Sequence, residues 1–217
     1  MSEPVRIDVW SDVVCPWCYI GKRRLEAAIE MYRAEPDSPD VEVVFHSFQL
    51  APDLPTDIDQ SALEYLVEHK GVDESRARAM QNHVTHVAST VGLEYHFDNA
   101  RSANTHLAHQ LIHFGAEHGS QAEVKERVFR AHFTEGRHIG SIDTLVEIAS
   151  EAGLDAEAAR DALETGKYAS AVEQDRDLAA RIGINGVPFF VIDGKLGVSG
   201  AQPPETLLDA IEQARTL

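Results

Sequence analysis

The feature that most constrains this chain is Cys15-Pro16-Trp17-Cys18. It lies between an alternating apolar run, Val5-Arg6-Ile7-Asp8-Val9-Trp10, and a helical pattern carried by Leu25, Ala28, Ile29 and Tyr32. Period two gives way to period 3.6 across the motif, so two cysteines open a helix that follows a strand. Residues three apart in a helix have Cα atoms roughly 5 Å from each other, which is inside the window a disulfide requires. Pro16 suits the first turn, where its missing N–H has no helical partner to lose and its φ is already helical. The unpaired amides and the dipole of that turn favour negative charge at Cys15. Cys15 is therefore expected to be the more acidic and more exposed sulfur, with Cys18 one turn inside, under the chain.

Val41-Glu42-Val43-Val44-Phe45-His46-Ser47-Phe48 is β-branched and aromatic and reads as a second strand, completing a βαβ unit. Beyond Pro52 and Pro55 the periodicity is helical for over a hundred residues. Ser61-x-x-Glu64 and Ser120-x-x-Glu123 both fit a capping box. Gly71, Gly92, Gly119, Gly153, Gly166 and Gly183 fall where helices would stop. About six helices are expected between Ser61 and Ile182, among them 73–91, 104–118, 120–133, 141–152 and 167–182. Strand character returns at Val187-Pro188-Phe189-Phe190-Val191-Ile192. Asp193-Gly194 then suits a two-residue hairpin turn before Lys195 to Val198. Leu207, Leu208, Ile211 and Ala214 mark a last helix. The order β-α-β, helical block, β-β-α is an α/β arrangement. It divides into residues 1–59 and 184–217, which form one unit, and an inserted helical segment, 60–183.

The 217 residues suffice for one large domain with a proper core. Only 2 cysteines are present, both in the motif, so no disulfide framework exists elsewhere, and the pair is expected to be catalytic or metal-binding. With 36 acidic against 19 basic side chains, the net charge of −17 repels phosphate backbones and anionic lipid surfaces. Nucleic acid and membrane are therefore not expected partners. Met1-Ser2-Glu3-Pro4 lacks the basic start and apolar run of a leader peptide, and the expected location is the cytoplasm. Zinc competes weakly for the thiols, since a closed site needs four ligands and there is no third cysteine. His106, His109 and His113 are spaced along one helix face, and a polar or half-buried face is the expectation there rather than a metal site. Asp12 reads first as a turn residue and Asn104-Thr105 as a helix start. Trp17 reads equally as a substrate-contacting aromatic or as packing at the helix start.

The runs Ser11-Asp12-Val13-Val14-Cys15-Pro16-Trp17-Cys18-Tyr19-Ile20-Gly21, Gly186-Val187-Pro188-Phe189-Phe190 and Ser199-Gly200-Ala201-Gln202 resemble the DsbA-like thioredoxin-fold family, and more narrowly its FrnE-like subgroup. That subgroup is related to 2-hydroxychromene-2-carboxylate isomerases and kappa-class glutathione transferases. The resemblance implies a thioredoxin fold with a large helical insertion, and a cis Pro188 lying against the cysteine pair. It implies catalytic roles for Cys15 and Cys18, supported by Pro16 and Trp17, and substrate binding along the backbone of Val187 and Pro188, in the manner of an added strand. The implied activity is thiol-disulfide exchange that oxidises, reduces or isomerises disulfides of protein or small-molecule substrates. No metal or organic cofactor is expected. Glutathione is a candidate redox partner, and relatives are often homodimers. Two alternatives stand beside this reading. One is a glutathione-dependent isomerase or transferase of a small aromatic or polyketide-like substrate, although such relatives carry serine near the position of Cys15. The other is a non-catalytic peptide-binding module or holdase using the groove beside Pro188.

With two sulfurs at bond-forming spacing, mild oxidation is expected to convert both thiols into one intramolecular disulfide without releasing zinc. Thiol titration with metal analysis before and after oxidation checks this; retained zinc or persistent thiols would contradict it.

Overall fold

The computed structural model describes residues 3–36, 38–56, 58 and 60–217. Met1-Ser2 and the expected boundary at residue 59 lie outside them. The chain runs β1 (Val5–Ser11), α1 (Pro16–Arg33), β2 (Val41–Ser47), then seven helices: α2 (Ala62–Lys70), α3 (Glu74–Ser89), α4 (His106–Glu117), α5 (Gln121–Phe133), α6 (Ile142–Glu151), α7 (Ala156–Glu164) and α8 (Ala169–Arg181). It closes with β3 (Phe189–Ile192), β4 (Leu196–Ser199) and α9 (Pro204–Thr216). The periodicity reading gives no range for α2 or α7, each nine residues long and short for a sustained apolar stripe.

The sheet order is β2-β1-β3-β4. β1 and β2 are parallel, with Val5 opposite Val41 and Ser11 opposite Ser47. β3 runs antiparallel to β1 and β4 antiparallel to β3. This is the thioredoxin arrangement, in which the first strand becomes the centre of the sheet. Asp193 and Gly194 both have positive φ (50° and 65°), as a tight hairpin between twisted strands requires. β3 begins at Phe189 rather than Val187, because Val187 and Pro188 face α1 instead of continuing the ladder.

Strand alternation sorts the side chains onto two faces. Val5, Ile7 and Val9 pack with Leu25, Ala28, Ile29 and Tyr32 of α1 and Leu207, Ile211 and Ala214 of α9. Trp10 turns to the other face, against Ala179 of α8 and Ile184. A second and larger core lies among the inserted helices, around Leu111, Val128, Phe129, Phe133 and Leu145. It includes Val13, Cys15, Cys18, Tyr19 and Ile20. Helix α1 thus spans both cores: its first turn belongs to the insertion and its remainder to the sheet.

The insertion also finishes the sheet's outer edge. Gln121 of α5 accepts from the amide of Phe45 (3.0 Å) and donates to its carbonyl (2.8 Å), and Asp175 of α8 accepts from the amide of Ser47 (2.7 Å). Side chains here take the place of a neighbouring strand on groups that an edge strand otherwise leaves open. At helix starts, Ser61 and Glu64 form the expected capping box. Ser120 does not: its backbone (φ −123°, ψ 30°) departs from the extended geometry that aims an N-cap side chain at the first turn.

His46 of β2 is clamped between two carboxylates, Asp175 at 2.7 Å from Nδ1 and Asp8 at 2.8 Å from Nε2, and stacks on Trp10 with ring centroids 4.4 Å apart. Burial lowers its pKa, but hydrogen bonds to Asp175 and Asp8 outweigh that and raise it above the ordinary histidine value. Asp175 is held below the carboxylate range: burial opposes this, and His113, His46 and the Ser47 amide overcome it.

Two predictions follow from this packing. A Cβ at Gly21 would meet Pro188 Cγ at 2.8 Å and Phe190 Cζ at 3.3 Å. Gly21→Ala should therefore destabilise the protein by about 1–3 kcal/mol, the usual cost of overpacking, measured by urea unfolding. For His46, a raised folded pKa means that its contribution is fully present below the unfolded value of about 6.5 and is lost as pH rises through the folded pKa. The lowered carboxylate pKa values act oppositely, contributing above about 3.9 and failing as pH falls. Wild type should exceed His46→Gln by about 2 kcal/mol at mildly acidic pH, the scale of a charge-assisted hydrogen bond, with the gap closing towards alkaline pH. A gap independent of pH in paired unfolding curves would refute the assignment.

Candidate functional site

Cys15 is the N-cap of α1, with extended backbone (φ −87°, ψ 112°), and Pro16 occupies the first helical position. The turn into the helix is fixed by Cys15 N donating to Asp12 O (3.2 Å) and Cys18 N donating to Cys15 O (3.0 Å). Both cysteines are free thiols. The Cys15 thiol donates to the carbonyl of Val187 at a sulfur distance of 3.7 Å, and the Val187-Pro188 bond is cis. Residues near the two ends of the chain thus meet at the Cys15 sulfur.

Cys15 is the more exposed of the two sulfurs, as expected, but by little: its relative accessibility is 5%, against 2% for Cys18. Its sulfur does not cap the first-turn amides, since no side-chain cap bond forms there. Tyr95 of the insertion, whose hydroxyl donates to Pro16 O (2.7 Å), and the carbonyl of Val187 cover the helix start from opposite sides. The asymmetry between the sulfurs lies in their surroundings. Cys15 opens into a cleft of about 430 Å³. Cys18 is sealed, and burial first, then the Cys15 thiol, raise its pKa well above the ordinary thiol value.

Asp12 is more than a turn residue. Its carboxylate is fully buried, accepting from Leu50 N (2.8 Å) and lying 3.2 Å from His109 Nε2. Below it sits Lys125 of α5, 1% exposed, with Nζ 5.1 Å from the ring centre of Phe45 and 5.5 Å from that of Phe129. That ammonium has no hydrogen-bond partner among the described residues. Burial pushes its pKa down to about 8, opposed by the charges of Cys18 and Asp12. His132, also on α5, is pushed down to about 4 by burial and is neutral near pH 7.

The helix face bearing His106, His109 and His113 meets a different carboxylate at each position: Glu173 (3.8 Å), Asp12 and Asp175 (3.1 Å). They do not converge, and no group of metal-ligating side chains is assembled among the described residues. Asn104 is a helix start in part: Oδ1 accepts from His106 N (3.0 Å), while Nδ2 ties down Leu54 O (2.6 Å). Trp17 is 37% exposed at the rim of the cleft and leans on His83, with centroids 6.1 Å apart.

Periodicity alone missed Lys125 and His132. Both stand in the apolar stripe Val124, Lys125, Val128, Phe129, His132, where a lysine and a histidine seven residues apart interrupt a face that otherwise has to be buried. That interruption was the available signal.

The model of the DSBA-like thioredoxin domain matches residues 6–212. The YwbO protein of Bacillus subtilis is 34% identical over 209 residues, spanning 95% of this chain and 96% of its own. Among solved structures, one described as a probable DsbA oxidoreductase of Streptomyces coelicolor is 38% identical, covering 98% of this chain and 90% of its own, with a TM-score of 0.92. The cytosolic disulfide reductase DsbM of Pseudomonas aeruginosa, solved with GSH, shares the fold at 20% identity and a TM-score of 0.65, covering 98% of this chain and 100% of its own. No described helix is long and apolar enough to cross a membrane. A family match over nearly the whole length, joined to a sheet with β1 at its centre and a cysteine pair opening α1, leaves one conclusion: the chain belongs to the DSBA-like thioredoxin domain family.

Proposed function

We propose that this protein is a thiol-disulfide oxidoreductase in which Cys15 exchanges with substrate and Cys18 resolves the mixed disulfide. The observation that carries this reading is the unequal setting of two thiols one helical turn apart: Cys15 faces a cleft and Cys18 is sealed with a raised pKa. In the reducing direction the Cys15 thiolate attacks a substrate disulfide. A Cys15–substrate bond forms and the substrate's own S–S bond breaks, its leaving sulfur taking up a proton. Cys18 then loses its proton and attacks Cys15, which forms the intramolecular disulfide and releases the second substrate thiol. The reverse sequence oxidises a substrate dithiol.

Cys18 is poised for the second step only. With its proton held by burial it does not compete for incoming substrate, and Asp12 and Lys125 are the charged groups within electrostatic reach when that proton leaves. Pro16 sets the helix start, and Val187 and Pro188 present backbone beside the reacting sulfur. The chemistry needs no metal or organic cofactor. Glutathione suits the role of electron partner, a reading supported by the glutathione-bound DsbM neighbour, and the cytosol suits the work. Retention of both thiols favours this activity over the isomerase and transferase alternative.

Near neutral pH, alkylation should modify Cys15 faster than Cys18 by about tenfold or more, since the thiolate and access together set the rate. Cys18→Ser should accumulate a mixed disulfide on Cys15, read by mass spectrometry of the intact protein, whereas Cys15→Ser should not. Equal labelling rates, or a mixed disulfide trapped on Cys18, would reverse the assignment.

A further inference from the structure

The cleft beside Cys15 is more than an approach to the sulfur. One wall is Val14 to Trp17 and the other is largely apolar, built from Leu66 of α2, Val84 of α3 and Phe97, with Lys70 and Arg101 also on the lining. Its volume of about 430 Å³ falls within the range of roughly 300–1,000 Å³ typical of small-molecule sites. Three of the large apolar side chains left exposed in this protein, Trp17, Leu50 and Met80, stand among its lining residues. Apolar surface gathered at the mouth of a cavity marks a binding site rather than scatter.

Two buried polar atoms belong to residues that line this cleft: Nε2 of Gln81 and Nδ1 of His132. Neither has a hydrogen-bond partner among the described residues. Buried donors and acceptors are rarely left unmade in folded proteins, and both residues reach the lining of this cleft, Gln81 that of a second cleft with Asn82 and Asn99 as well. Gln81 Nε2 only donates, so it calls for an acceptor. His132 is 4% exposed and is held neutral by burial, so it offers a hydrogen bond rather than a charge.

We propose that the cleft selects a small apolar disulfide or thiol, of aryl type with hydrogen-bond acceptors beside the sulfur, as the exchange substrate of Cys15, with Gln81 and His132 meeting its polar groups. This rests on the exchange reading above and gives it a substrate class. The reaction balances as before. Two protein thiols become one disulfide, the ligand's S–S bond becomes two thiols, and two electrons pass from protein to ligand, or the reverse when the ligand is a thiol. Specificity comes from the walls, and the sulfur chemistry from Cys15 and Cys18.

Dithiodipyridine, a neutral aryl disulfide with ring-nitrogen acceptors, tests the proposal against glutathione disulfide and an unfolded polypeptide disulfide, using the reduced full-length protein. Its carbon analogue dipyridylethane, which cannot exchange, reports binding alone by calorimetry. Dithiodipyridine should show saturation, and its kcat/KM should exceed that of glutathione disulfide by more than the ratio of their rates with a free small thiol. Ala62→Phe, which fills the cleft from α2, should raise its KM by about tenfold or more, and Gln81→Leu by about three- to tenfold, as for a pocket that loses space or one hydrogen bond. In both variants kcat for dithiodipyridine should hold, and exchange with glutathione disulfide should lose less than exchange with dithiodipyridine, since its charged peptide arms depend less on apolar walls. Dipyridylethane should bind wild type and lose affinity in both variants. Unchanged KM in both variants, absent dipyridylethane binding, or a polypeptide preferred over dithiodipyridine would overturn the proposal. Dipyridylethane bound normally with no exchange on any disulfide would instead overturn the redox reading, and the substrate assignment with it.

Discussion

A carboxylate sealed from water beside two thiols has to be compensated, and much of this molecule is arranged to do so. Asp12 sits at the end of the central strand, three residues before Cys15, with no accessible surface. An unpaired charge in that position would cost several kcal/mol. Its compensation comes from elsewhere in the chain: the amide of Leu50 beyond β2, His109 of α4, and the electrostatic influence of Lys125 of α5. None of these belongs to the βαβ unit that carries the cysteines. Two of the three, His109 and Lys125, belong to the insertion, which is therefore not an ornament on a finished sheet: it helps to make the end of β1 tolerable.

The same dependence recurs at the sheet edge and along α1. Gln121 and Asp175 complete the hydrogen bonding of Phe45 and Ser47, and Glu126 of α5 gathers Lys22 (2.7 Å), Arg23 and Tyr19 from the flank of α1. Tyr19 stacks on Phe129 with centroids 4.7 Å apart. Helix α1 is consequently held at its first turn by the insertion, at its middle by the contact of Gly21 with Pro188, and at its end by α9 through the core around Tyr32. A sulfur at the start of a helix fixed at three levels is held in one place, which is what exchange along a line of three sulfur atoms demands.

The fold was legible because its punctuation is chemical. Alternation in β1, the glycines at helix ends and Asp193-Gly194 each have one economical structural meaning, and each took it. The cysteine pair was legible for the same reason. What the sequence did not disclose was long-range compensation. Nothing near Asp12 announces that His109, 97 residues later, will reach it, so a turn was the natural reading. Likewise the three histidines of α4 share a face in the sequence but separate among three acceptors once β2, α8 and the end of β1 are packed around them. The capping box at Ser120 failed because its backbone departs from the extended geometry, a feature that residue identity alone does not carry.

The strand order carries a consequence in time. β1 is the central strand, yet one of its two neighbours, β3, is made last, after β2 and all seven inserted helices. On the ribosome, the roughly 140 residues between β2 and β3 take on the order of ten seconds to synthesise at about 5–20 residues per second. Throughout that interval one side of β1 has no strand to pair with, Cys15 lacks the carbonyl of Val187, and Gly21 lacks the ring of Pro188. The nascent chain therefore exposes its two thiols before the structure that buries them is complete, and protecting them during synthesis falls to the compartment rather than to the fold.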